Sequence, residues 1–110
     1  MARTLREYLD EPGRSAFRRW FDRLNGPAAA KVTIALKRLE AGNDSNTKSV
    51  GEGVHELKVD FGPGYRVYFG WQGQQLIILL AGGSKARQQQ DIKQAKELWA
   101  AHKRRVREDR

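Results

Sequence analysis

The chain contains no cysteine, which removes disulfide frameworks, thiolate metal sites and cysteine nucleophiles, and is compatible with a reducing compartment. Histidine is nearly absent: His55 and His102 are too few and too far apart in sequence to suggest a zinc site, so no metal or other cofactor is expected. Long apolar runs are missing as well. The longest, Leu76-Ile77-Ile78-Leu79-Leu80-Ala81, falls far short of the roughly 20 residues a membrane helix needs, and no charged-then-apolar leader opens the chain. The expectation is a soluble, cytoplasmic protein with no membrane partner. Negative charge is the last scarcity: 13 Asp and Glu stand against 21 Lys and Arg, a net charge of +8. That balance favours a polyanionic partner, nucleic acid first and an acidic protein second.

What is present fits one domain, since 110 residues are enough for a single core and too few for two. Residues 2 to 9 fit a short first strand or a helical turn, and their period does not choose between them. From Ser15 onward Phe17, Trp20, Phe21 and Leu24 fall at i, i+3, i+4 and i+7, one apolar stripe of a helix that Asn25-Gly26-Pro27 stops. Pro27 suits the start of a second helix carrying Ala28, Val32, Ala35, Leu36 and Leu39 inward, with Gly42-Asn43 as its C-terminal cap. The two should form a hairpin. The polar run 43–49, followed by Gly51 and Gly53, reads as a loop.

Thereafter the period changes from 3.6 to 2. Leu57, Val59 and Phe61 alternate with Glu56, Lys58 and Asp60, the pattern of a half-buried strand. Gly62-Pro63-Gly64 turns the chain into a second strand in which Tyr65, Val67, Phe69 and Trp71 alternate with Arg66 and Tyr68. A turn at Gln72-Gly73-Gln74 leads to the continuous apolar strand 76–81, suited to a central position. Gln88 to about Arg105 read as a closing helix with Ile92, Ala95, Leu98 and Trp99 inward, and Arg104 to Arg110 as a basic tail free to fray. The expected fold is α+β: an N-terminal helical hairpin and a C-terminal helix on a small antiparallel sheet of three consecutive strands, one face covered by helices. Trp20, Phe21 and Trp99 are read as core anchors; one left exposed would mark a docking surface.

Three blocks carry a family resemblance: Gly51-Glu52-Gly53-Val54-His55-Glu56-Leu57; Gly62-Pro63-Gly64-Tyr65-Arg66-Val67-Tyr68-Phe69; and Gly82-Gly83-Ser84-Lys85 with Gln88, Asp91-Ile92 and Ala95. In that order they resemble the phage-derived addiction-module killer proteins, a branch of the RelE/ParE toxin superfamily with RelE/HigB-like members. The resemblance implies a toxin of a type II toxin–antitoxin pair and ribosome-dependent cleavage of messenger RNA. It also implies a cognate antitoxin, often a helix-turn-helix protein, that neutralises the toxin in a hetero-oligomer. Two rival readings stay open: a ParE-like inhibitor of DNA gyrase that cuts nothing, and a basic nucleic-acid-binding module without toxicity.

Metal-free RNA cleavage uses the neighbouring 2′-hydroxyl as nucleophile, so a protein must help remove its proton, stabilise a dianionic phosphorane and protonate the departing 5′-oxygen. Strand parity places Glu56 and Lys58 on one face and Arg66 and Tyr68 on one face of the next strand, so a single register gathers all four on the exposed side of the sheet. Arg66 is the first candidate, because a guanidinium holds phosphate through two parallel hydrogen bonds and stays charged at any working pH; by resemblance it also aligns with the arginine of the family's Gly-Tyr-Arg motif. Lys85, by resemblance, stands where the family carries a basic residue after the third strand, and Lys58 where ribosome-dependent relatives carry a functional lysine. Glu56 is an alternative base. His55 shares parity with Leu57 and Val59, so packing suits it better. Tyr68, Arg87 and Lys93 are the candidate RNA-binding residues, with Tyr65 and Tyr68 able to stack on a base or to pack in the strand. From Lys85 onward there are nine basic and four acidic residues, a concentration that suits phosphate contacts. The tyrosine or histidine some relatives carry near the last helix is replaced here by Asp91 or a glutamine, and Asp91 is read as capping that helix or pairing with Lys85.

Overall fold

The computed structural model describes residues 2–109. Along the chain run β1 (Thr4–Glu7), α1 (Ala16–Asp22), α2 (Gly26–Glu40), β2 (Thr47–Gly51), β3 (Val54–Val59), β4 (Tyr65–Gln72), β5 (Leu76–Ser84), a 3₁₀ turn at Lys85–Arg87, and α3 (Gln88–Glu108). The expected α+β class holds. The two N-terminal helices start where capping chemistry places them. The Ser15 side chain accepts from Arg18 N at 2.9 Å and the Asn25 side chain from Ala28 N at 2.9 Å, each satisfying an amide that the helix itself leaves free. Gly42, at φ +105°, follows α2 in the left-handed conformation that glycine adopts without penalty.

The sheet is larger than three strands and is mixed. Its order is β1-β5-β4-β3-β2; β1 runs parallel to β5 and the other neighbours are antiparallel. β2 lies in the segment expected to be a loop. Thr47, Lys48, Ser49 and Val50 form an edge strand with no buried residue, so no apolar alternation betrays it, and polar side chains suit an exposed edge. Gly51, Glu52 and Gly53, all at positive φ, fold it back onto β3.

Both faces of the sheet are covered, not one. Phe17, Trp20, Val32 and Leu39 pack with Leu57, Val59, Val67, Phe69, Ile77 and Leu79 on one side. Ala95 and Trp99 of α3 pack with Val54, Tyr68, Ile78, Leu80 and Tyr8 on the other. The reason lies in β5: its unbroken apolar run gives it an apolar face on each side, and a sheet apolar on both faces needs a helix over each. Trp99 sits flat against the backbone of β4, where a Cβ at Gly70 would lie 2.7 Å from its ring.

A β-bulge in β5 sets up the far end of the sheet. Phe69 pairs with Leu79 but Tyr68 pairs with Ala81, so Leu80 is an extra residue and the side-chain alternation shifts by one. Gly82 therefore lies under Trp20 of α1 and Gly83 under Asp91 of α3. At both positions a Cβ would overlap the side chain above it, so the bulge and the glycine pair together let the two helices close on this end of the sheet.

Candidate functional site

Register brings the expected residues together. Glu56 lies directly across from Tyr68, Lys58 from Arg66, and Arg66 in turn from Gly83. The surroundings differ from those expected: α3 covers this face, and Glu56 and Arg66 are only 2% and 7% exposed. They form a buried ion pair, with Arg66 Nε 2.6 Å from Glu56 Oε1. That contact is ionic, since Nε has no aligned hydrogen-bond partner. Gln88, at the start of α3, donates to Glu56 Oε1 at 2.9 Å, and Arg66 Nη1 donates to the Gly64 carbonyl at 3.1 Å. Held by Glu56 on one side and the Gly64 carbonyl on another, with Gln88 steadying the carboxylate, the guanidinium is fixed in place, which is the preorganisation a phosphate-binding arginine requires.

The pair forms the floor of a groove of about 270 Å³ whose walls include Ser45, Asn46, Thr47, Lys48 and Lys58. Lys48 reaches Glu56 Oε2 at 3.7 Å. Lys58 is exposed and forms no ion pair with any described residue. Lys85 is exposed too and is likewise unpaired among the described residues. Its amide donates to the Gly64 carbonyl at 2.9 Å, which fixes the start of the 3₁₀ turn beside the arginine. The groove thus carries more positive than negative side chains, and its one carboxylate is occupied in holding Arg66.

Other expectations need correcting. Tyr68 is fully buried at 0% exposure under α3, so it is not presented for stacking on a base. Burial pushes its hydroxyl well above the ordinary tyrosine range, the nearby charges of Glu56 and Asp91 adding to the effect and Arg66 opposing it, so it stays protonated. Asp91 neither pairs with Lys85 nor bonds as a cap: the N-cap of α3 is Arg87, and no side-chain capping bond is made there. Burial instead raises the Asp91 carboxyl above its ordinary range, with Arg87 opposing. Arg87 and Lys93 are exposed; Arg87 borders a second groove described below, and Lys93 lies on the outer side of α3. His55 stacks on Phe69 with ring centroids 5.5 Å apart, the packing role its parity indicates. Lys48 and Gln88 were missed as site residues. Lys48 belongs to the strand that sequence patterning hides, and Gln88 reaches Glu56 across 32 positions; a glutamine gives no periodic signal of such a contact.

The model of the phage-derived protein Gp49-like family (DUF891) matches residues 19–105, a span that includes every site residue from Lys48 to Lys93. This chain belongs to that family. A protein of Haemophilus influenzae (strain Rd), of uncharacterized function, is 49% identical to this Gp49-like chain over 83 residues, covering 74% of the chain and 84% of the relative. Among the described residues of the Gp49-like chain, no helix is long and apolar enough to cross a membrane, and no cluster of His, Cys, Asp or Glu is arranged to hold a metal ion.

Proposed function

We propose that this protein is the toxin of a type II toxin–antitoxin pair and that it cuts messenger RNA on the translating ribosome at the groove above Glu56 and Arg66. The observation that carries the reading is the arginine itself: a cation locked by a buried carboxylate at the floor of a groove rimmed by Lys48 and Lys58. Such a fixed guanidinium stabilises charge that develops on a phosphorane without having to reorganise at the moment of reaction. In this scheme the RNA 2′-oxygen attacks the adjacent phosphorus as its proton leaves. The bond to the 5′-oxygen breaks as that oxygen gains a proton, giving a 2′,3′-cyclic phosphate and a free 5′-hydroxyl.

Arg66 holds the phosphate, Lys58 and Lys85 supply mobile positive charge around it, and Arg87 and Lys93 extend the contact along the RNA backbone. Glu56 is assigned as a positioning residue. Its Oε1 faces Arg66 and Gln88 and its Oε2 is buried, an arrangement that favours orienting the guanidinium over collecting a proton from substrate. An antitoxin would neutralise the toxin by bringing acidic side chains over the lysine rim.

The test is induction of the wild type, and separately of Arg66→Lys, in a host without the antitoxin, with new 5′ ends mapped on messenger RNA as growth is followed. The reading expects growth arrest and cuts inside translated regions for the wild type, both greatly reduced for Arg66→Lys at equal folded protein. Arrest without new RNA ends would overturn it and make DNA gyrase the next target to assay.

A further inference from the structure

A second groove, of about 540 Å³, opens between α1 and α3 where β5 ends. Its walls include Trp20 and Tyr65, edge to face with centroids 6.2 Å apart, together with Gly82, Gly83 and Asp91. Asp91 is the unusual element. It is 8% exposed, and no described residue gives it a hydrogen bond or an ion pair; Oδ2 in particular is buried without a partner. A carboxyl taken out of water with no donor to face is unfavourable unless something else supplies the donors. Gly83 leaves room for it, because any larger residue there would overlap the carboxyl. Arg19, Arg23 and Arg87 also line the groove, all exposed and none in a salt bridge with a described residue.

The groove carries the parts a nucleotide calls for: the half-buried Tyr65 ring on one wall for a base to stack on, arginines to take a phosphate, and across the end of β5 the Asp91 carboxyl, with two oxygens to receive donors from the base edge. Guanine alone among the four RNA bases presents two adjacent N–H donors, N1–H and N2–H, on its Watson–Crick edge. We propose that this groove is a guanine-binding subsite, with Asp91 accepting both donors, and that it takes a nucleotide of the same RNA strand that is cut. The assignment of the guanine to an RNA strand rests on the function proposed above; the binding chemistry does not. The turn Lys85–Arg87 links the two grooves, Lys85 standing beside Gly64 next to Arg66 and Arg87 lining the second, so a single strand crossing that turn enters both.

The experiment titrates the full-length protein with 5′-GMP, 5′-AMP, 5′-CMP and 5′-UMP, following backbone amide shifts, and repeats it with Asp91→Asn. GMP binds roughly tenfold or more tighter than the other three, as a bidentate base contact implies. It moves the amides of Gly82, Gly83, Asp91 and Gln94, and Asp91→Asn weakens it by a similar factor. Equal binding of the four nucleotides, shifts confined to other parts of the fold, or unchanged GMP affinity in Asp91→Asn would overturn the subsite. If Asp91→Asn does not fold, the wild-type comparison and the location of its shifts decide alone. RNA cleavage is assayed in parallel with translating ribosomes. Asp91-dependent GMP binding without cleavage supports the subsite and removes the endonuclease reading, whereas cleavage without guanine preference in the titration overturns the subsite alone.

Discussion

Replacing Glu56 with glutamine keeps the shape of the side chain and removes the charge that opposes Arg66. Both partners are almost wholly buried, with side chains 2% and 8% exposed, so the solvent screening that weakens surface pairs does not apply. Breaking a buried pair from one side costs about 3–5 kcal/mol, because the remaining charge is left uncompensated. Here the glutamine oxygen can still accept from Gln88 and face the guanidinium, which lowers the expectation to about 2–4 kcal/mol. Against a total stability of about 5–15 kcal/mol that is a large share, and it corresponds to a fall in Tm of roughly 8–20 °C at about 4–5 °C per kcal/mol. The assay is urea and thermal unfolding of wild type, Glu56→Gln, Glu56→Leu, Arg66→Met and the double variant Glu56→Leu/Arg66→Met, which combines the last two single changes. The paired apolar replacement should recover most of the loss, because neither buried charge remains. A Glu56→Gln variant less than about 1 kcal/mol below wild type, or a double variant as unstable as the sum of the singles, would refute the reasoning that these two groups act as one buried unit.

Three further outcomes follow from packing and burial. Gly82→Ala forces a methyl into the Trp20 ring and should destabilise by about 1–3 kcal/mol or more, read as a lowered urea midpoint with unchanged m-value. Asp91 has its folded-state pKa raised by burial, so its contribution to stability is present in full below the ordinary carboxylate pKa and is lost as pH rises through the folded value. Asp91→Asn should therefore raise Tm at neutral pH and leave it nearly unchanged at strongly acid pH. His102 is shifted the opposite way: burial, with Arg105 adding, lowers its pKa, while it stacks on Trp99 at 5.3 Å and bonds Gln72 at 2.8 Å. Its contribution is present above the ordinary histidine pKa and fades as pH falls through the folded value, so wild type should lose Tm on acidification below about pH 6.5 more steeply than His102→Gln.

The site was legible in the sequence wherever strand parity governs it. Glu56, Lys58, Arg66 and Tyr68 could be placed on one face because a two-residue period and one hairpin register leave no other arrangement, and the structure pairs them so. Their burial was not legible, since it depends on α3, whose first residue lies 20 positions beyond Tyr68 and returns over the sheet. The apolar run of β5 held the clue: Ile78 and Leu80 need cover on the side opposite Ile77 and Leu79. A strand at β1 was legible as one of two alternatives and β2 was not legible at all, for different reasons. β1 is four residues long, too short to show a period, and its parallel pairing is a long-range choice; β2 is polar because it is an edge. The bulge at Leu80 gives no periodic signal in so apolar a strand, yet it decides that Gly83, not Gly82, faces Asp91.

The measurement that tests the central claim most directly uses translating ribosomes programmed with a short message, purified protein, and a second message carrying a single 2′-deoxy nucleotide on the 5′ side of the mapped cut. The account predicts cleavage of the first to a 2′,3′-cyclic phosphate and a 5′-hydroxyl, none at the deoxy position of the second, and almost none of either with Arg66→Lys. Cleavage that continues at the deoxy position, or that persists at the wild-type rate in folded Arg66→Lys, would contradict it.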